Sequence, residues 1–153
     1  MYLLRHRQTR SNVRGLLRGH SDLPLDATGK DQARALGALF GPVPLTTVIT
    51  SPLQRARDTG VPIAVSTGAS QFVDPRLIDR DYGVWAGHSP AEIEARFGRV
   101  DAAPGVEERA AVMARALSPI TDWAAELAPG PFAVVAHDFI NTLLLADCRP
   151  IRS

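Results

Sequence analysis

The sequence predicts a three-layer α/β/α domain built on a mostly parallel central sheet, with residues 1–153 forming one domain. Two observations lead there. Short apolar, β-branched runs recur along the chain, and stretches with helix-start chemistry separate them, so neighbouring strands are joined by helical crossovers. Pro and Gly are spread through the chain as punctuation, and no repeat or linker divides it.

The strands are expected at Met1 to Leu4, Thr46 to Thr50 and Phe132 to Ala136, with a weaker one at Gln71 to Val73. Helix starts are marked by hydroxyl side chains that accept from an early backbone N–H while an acid or amide three residues on reaches back. Thr28 with Asp31 opens a helix to about Phe40. Ser51-Pro52-Leu53-Gln54 and Ser89-Pro90-Ala91-Glu92 open two more, each with proline at the first helical position. Gly60 and Pro62 are expected to interrupt the first of these. An alanine-rich helix from about Glu107 to Leu127 is expected to break near Pro119, and a last helix follows His137 to about Asp147.

Composition excludes several classes of function. The apolar stretches fall far short of the roughly 20 residues of a membrane helix, so no membrane partner is expected. A net charge of +1, from 17 basic and 16 acidic residues, argues against a nucleic-acid binder that works by bulk charge. The start does not read as a signal peptide, and the single Cys148 allows no internal disulfide and has no activating neighbours, so the cytoplasm is the expected compartment. The balance conceals an uneven distribution. Arg5, Arg7, Arg10, Arg14 and Arg18 precede the first acid, Asp22, and 16 of the 17 basic residues are arginine, whose planar fork suits phosphate and carboxylate.

Parallel sheets bind ligands beyond the carboxyl ends of their strands. Arg5 and His6 follow the first strand, Ser51 and the turn bearing Arg55 follow the second, and His137 follows the long run at 132–136. Two imidazoles, two guanidiniums and a helix N-terminus at one edge describe a phosphate site. A neutral histidine there can attack phosphorus, provided its second nitrogen donates to a fixed acceptor; crowding by arginines keeps it neutral.

These residues resemble the histidine phosphatase superfamily, which includes the cofactor-dependent phosphoglycerate mutases. Leu4-Arg5-His6-Arg7-Gln8-Thr9, with Asn12 following, is similar to its opening Leu-x-Arg-His-Gly-x-Thr signature. The likeness continues through Gly19 to Leu25, Gly29 to Ala33, Ser51 to Thr59, Tyr82 to Gly87 and Val134 to His137. It implies a phosphoglycerate mutase-like fold and a phosphomonoester hydrolase acting through a phosphohistidine on a small phosphorylated metabolite. His6 is then the nucleophile, Arg5, Asn12, Arg55 and His137 hold the phosphoryl group, and Asp79 is the proton donor, with Asp81 the nearest substitute. The resemblance implies no metal, and no cofactor is expected. The expected partner is the small substrate, with a homodimer as the assembly considered. A phosphoglycerate mutase-type transfer and a catalytically degenerate phosphate-ligand binding protein are the alternatives.

Three positions depart from the family pattern. Arg7 and Asp138 stand where glycine is usual, and Asp79 where glutamate is usual. After the last predicted helix only Arg149 to Ser153 remain, so the sheet is expected to lack the family's last strand. His20 and His88 read as structural, Tyr82 and Trp85 as core, and Arg10, Arg14, Arg18 and Arg57 as surface or peripheral substrate contacts.

Overall fold

A computed structural model describes residues 1–128 and 130–147. Its four strands, β1 (Tyr2–Arg5), β2 (Thr47–Thr50), β3 (Ser70–Val73) and β4 (Phe132–Ala136), form one parallel sheet in the order β1-β4-β2-β3. The helices are α1 (Arg10–Val13), α2 (Ala27–Phe40), α3 (Gln54–Thr67), α4 (Pro90–Phe97), α5 (Arg109–Glu126) and α6 (Asp138–Asp147). Cys148 and the segment 149–153 lie outside the described residues.

The two inner strands are apolar because both their faces are covered. On one face Ile49, Val134 and Ala136 pack against Val112 and Ala116 of α5 and Ile140, Leu143 and Leu144 of α6. On the other, Val48, Ala133 and Val135 meet Phe40 of α2 and Ala56, Ile63 and Ala64 of α3. The three layers are those expected.

The predicted breaks do not occur. Pro62 lies inside α3 and Pro119 inside α5, and both helices run on. A helix through proline loses one backbone bond, which tertiary packing can offset. At Gly37 an added Cβ would lie 2.6 Å from the Pro62 carbonyl oxygen, and at Gly60 it would lie 2.7 Å from Thr50 Cγ2. These residues set the close approach of α2 to α3 and of α3 to β2.

Two helix starts also differ. Asp26, not Thr28, caps α2, accepting from the Gly29 N–H at 2.8 Å. Helix α3 begins at Gln54, and its first N–H donates to the distant Asp22 carboxylate. Ser51 is thereby free for another role. The Ser89–Glu92 capping box of α4 forms as predicted.

Candidate active site

The register of the sheet assembles the site. Arg5 of β1 pairs with Ala136 of β4, and the His6 N–H donates to the Ala136 carbonyl at 3.0 Å, so the residues following both strands emerge side by side. The rings of His6 and His137 have centroids 5.3 Å apart. Ser51 leaves β2 on the neighbouring rail, its N–H bonded to Val135.

His6 is buried, and its Nδ1 lies 2.7 Å from the Arg7 carbonyl oxygen. A carbonyl can only accept, so Nδ1 carries the hydrogen and Nε2 the lone pair. That Nε2 is buried and has no partner among the described residues. Burial pushes the imidazole down to about 3, aided by Arg55, Arg18 and Arg5 and opposed by the bond to Arg7. The ring is therefore neutral at pH 7.

His137 is fully buried, with Nε2 2.7 Å from Ser51 Oγ. Its Nδ1 lies 3.6 Å from Asp79 Oδ2. Burial, then Arg55 and His6, hold it well below its usual value, so this contact joins a neutral ring to a carboxyl group and is not an ion pair. Ser51 Oγ also accepts from the Leu53 N–H at 3.3 Å.

Arg55, in the first turn of α3, is wholly buried. It donates to the carbonyls of Ser21 at 2.7 Å and Gly19 at 2.9 Å and to Asp79 Oδ2 at 3.0 Å, while its Nε remains unpartnered. A buried guanidinium needs such partners, because leaving its charge bare would cost several kcal/mol. Asp79 arrives on the segment after β3. Its Oδ1 accepts from the Arg80 N–H, and burial raises its affinity for a proton above that of an ordinary aspartate although Arg55 opposes the shift.

The rim holds the remaining residues. Arg5 is exposed and pairs with Asp138, which opens α6. Asn12 forms a capping box with Thr9, accepting from the Thr9 N–H at 2.9 Å and its hydroxyl at 2.8 Å, which leaves the amide NH2 as a donor. Arg5, His6, Arg7, Gln8, Asn12 and Gln32 line a pocket of about 230 Å³. A second, of about 170 Å³, is lined by Leu17, Arg18, Asp79, Tyr82, Asp138, Phe139 and Thr142.

The structure thus gathers His6, Arg5, Asn12, Arg55, Asp79 and His137 at one sheet edge. It also enlists residues whose part the sequence reading did not identify. Arg18 is half-buried beside Asp79 and contributes to the low basicity of both histidines. Ser51 serves His137 instead of capping a helix. Thr59 Oγ1 accepts from the Arg7 N–H at 3.0 Å and fixes the turn that follows His6. Arg115 of α5 donates to the carbonyls of Arg76, Ile78 and Asp79 at 2.6–3.0 Å and to Glu107, and so braces the segment that carries Asp79. Tyr82 is buried as expected but also borders the second pocket. His20 bonds the Asp79 carbonyl, and His88 faces Glu92.

The chain is 31% identical to a glucosyl-3-phosphoglycerate phosphatase of Mycolicibacterium vanbaalenii over 95% of its own length and 72% of the relative's. It is 35% identical to the adenosylcobalamin/alpha-ribazole phosphatase of Salmonella typhimurium, over 56% of this chain and 42% of that one. The solved structure of mycobacterial glucosyl-3-phosphoglycerate phosphatase superposes with a TM-score of 0.85 at 30% identity, covering 94% of this chain and 77% of that chain. Residues 1–151 match the sequence profile of the histidine phosphatase superfamily (branch 1), and the chain belongs to that superfamily.

Proposed function

We propose that this histidine phosphatase hydrolyses a small phosphomonoester through a phosphohistidine on His6. One observation carries the reading: Nε2 of His6 is a buried lone pair with no partner among the described residues, its tautomer fixed by the Arg7 carbonyl, and His6 lines a pocket shared with Arg5 and Arg7.

A phosphoryl group above Nε2 meets donors on each side. Arg5, Asn12, Arg18 and the free Nε–H of Arg55 bind its oxygens. His137 joins them through Nδ1–H, the tautomer that results when the Ser51 hydroxyl donates to Nε2. Nε2 of His6 then attacks phosphorus as the P–O bond to the leaving group breaks. The departing oxygen keeps that bond's electron pair and takes the proton held by Asp79. In the second half, Asp79 as carboxylate accepts a proton from water, whose oxygen attacks phosphorus, and the P–N electrons return to Nε2. The alcohol leaves past Asp79, into the pocket bordered by Arg18, Tyr82, Phe139 and Thr142.

Mixing the protein with 4-nitrophenyl phosphate and quenching rapidly tests this. Acid-labile, base-stable phosphate on the wild type, missing from His6→Ala together with turnover, is the expected result. Equal labelling of both proteins, or turnover that survives in His6→Ala, overturns it.

A further inference from the structure

Among the site's guanidiniums, Arg7 alone has no partner for its side chain among the described residues. Arg5 has Asp138, Arg55 has Asp79, and Arg18 donates to the Leu16 carbonyl. The backbone of Arg7 is held on both sides, its carbonyl by His6 Nδ1 and its N–H by Thr59. The side chain therefore starts from a fixed point and projects along the wall of the 230 Å³ pocket. Its Nε is buried and unpaired, and its neighbour is a like charge, Arg5. Apart from Asp138, which meets Arg5 at the mouth, no acid among the described residues lines this wall, so the two guanidiniums repel each other unless an anion lies between them.

The uncharged groups around this wall point the same way. Asn12 spends its oxygen on the N–H and hydroxyl of Thr9. Gln32 spends its oxygen on the Gln8 N–H at 3.2 Å, and a backbone N–H can only donate, so the Gln32 NH2 is the end left over. Gln8 gives its own NH2 to Asp26. The scissile phosphoryl group already has Arg5, Asn12, Arg18, Arg55 and His137. Arg7 and Gln32 are surplus donors just beyond it.

We propose that Arg7 and Gln32 form a subsite for a second oxyanion of the substrate, a carboxylate or a second phosphoryl group, so that the enzyme selects phosphomonoesters carrying two anionic groups. This rests on the phosphatase reading above. The planar fork of Arg7 suits either oxyanion, and the amide of Gln32 adds a neutral donor at the pocket's exposed rim.

The test compares kcat/KM for phosphoglycolate, 3-phosphoglycerate and fructose 1,6-bisphosphate with that for 4-nitrophenyl phosphate, which has one anionic group. In Arg7→Ala the ratio of at least one two-anion substrate to the aryl phosphate is expected to fall tenfold or more. In Gln32→Ala it falls about threefold, and Arg7→Lys recovers part of the loss. Whether the carboxylates or the bisphosphate lose most identifies the oxyanion. Ratios that stay within twofold of wild type for all three compounds overturn the subsite, whether the activities themselves hold or drop in parallel. A wild type that turns over none of the four overturns the phosphatase reading instead. The subsite is then judged by thermal stabilisation with the same compounds, where a two-anion preference shared by wild type and Arg7→Ala rejects it.

Discussion

The guanidinium of Arg5 lies 3.0 Å from the carboxylate of Asp138, across the mouth of the site, with both side chains substantially exposed. An acid at the start of α6 suits the helix, since its charge faces the free N–H groups of the first turn. In the proposed mechanism it also ties up a cation that the phosphoryl group needs. Exposed pairs of this kind are worth about 0–1 kcal/mol, so the competition is mild and does not silence the site.

Replacing Asp138 by asparagine or glycine is therefore expected to tighten binding. The KM for 4-nitrophenyl phosphate and the inhibition constant of inorganic phosphate should fall roughly two- to fivefold, with stability changed by less than about 1 kcal/mol. Steady-state kinetics and a thermal melt check this. Weaker phosphate binding in Asp138→Asn would show instead that the carboxylate orients Arg5 for the substrate.

In the proposed mechanism Asp79 joins stability to catalysis. The guanidinium of Arg55 donates to Asp79 in an almost completely buried contact, so Asp79→Asn leaves that buried charge with a weaker acceptor and is expected to cost up to about 3–5 kcal/mol, less whatever the two carbonyls at Gly19 and Ser21 retain. The kinetic signature is separate. Loss of a general acid costs on the order of 10²–10⁴ in kcat for an alkyl phosphate. The loss should be much smaller for 4-nitrophenyl phosphate, whose leaving group departs without a proton. Equal losses on both substrates would remove Asp79 from the proton-donor role.

The pH dependence follows from two opposite shifts. His6 is held near 3, so acidification from pH 7 to about 4 does not protonate the nucleophile. Once corrected for the ionisation of the substrate, kcat/KM should show no loss from protonation of His6 in that range, whereas an ordinary histidine would halve it near pH 6.5. The other limb falls as the pH rises, where Asp79 loses the proton that burial helps it keep and Arg55 opposes. Stability moves differently. Between about 6.5 and 3 the unfolded chain binds a proton on His6 that the folded chain does not, so acidification through that window destabilises the fold. His6→Ala should flatten this slope in urea titrations at a series of pH values.

How far the sequence reveals this site depends on what each residue does locally. Arg5, His6, Arg55 and His137 stand just past strand ends, so chain order and alternation are enough to bring them to one edge, whereas Asn12 and Asp79 come only with the family resemblance. Ser51 misled because a hydroxyl before proline carries the same signal whether it caps a helix or, as here, bonds a histidine from another strand. Arg18 read as surface because its role depends on a turn that folds it back beside Asp79. Pro62 and Pro119 read as breaks because local propensity cannot see the packing that carries a helix through them. The brace from Arg115 is set by tertiary contact alone, and no spacing in the sequence announces it.

That brace has a measurable effect. Arg115 acts through Asp79 and touches no reacting atom, so Arg115→Met should lower kcat for an alkyl phosphate about tenfold while changing KM little, and should shift the limb of the pH profile that falls as the pH rises. Lysine offers one ammonium for three carbonyls and a carboxylate, so Arg115→Lys should recover only a minor part. A variant that loses thermal stability yet keeps the wild-type pH profile would reduce Arg115 to a structural tie.

Gly29 packs helix α2 against the backbone two residues beyond His6. Glycine inside a helix is ordinarily improved by alanine, which gains about 0.5–1 kcal/mol. At Gly29 the added methyl would run into the carbonyl of Gln8, two residues beyond His6. Backbone meets backbone there, so the clash is relieved only if α2 or the loop 7–9 moves. That displacement would reach the Arg7 carbonyl that fixes the tautomer of His6 and the Gln8 N–H that orients Gln32. Gly29→Ala is accordingly expected to destabilise the protein and to lower kcat/KM for 4-nitrophenyl phosphate tenfold or more, although residue 29 lines neither pocket. Gly98→Ala, whose methyl meets nothing within 4 Å but whose φ of +80° strains any residue other than glycine, is the control for destabilisation away from the site, expected to lower stability and leave kcat/KM unchanged. A Gly29→Ala protein as stable and as active as wild type would mean that the contact between α2 and the Gln8 turn does not position the nucleophile.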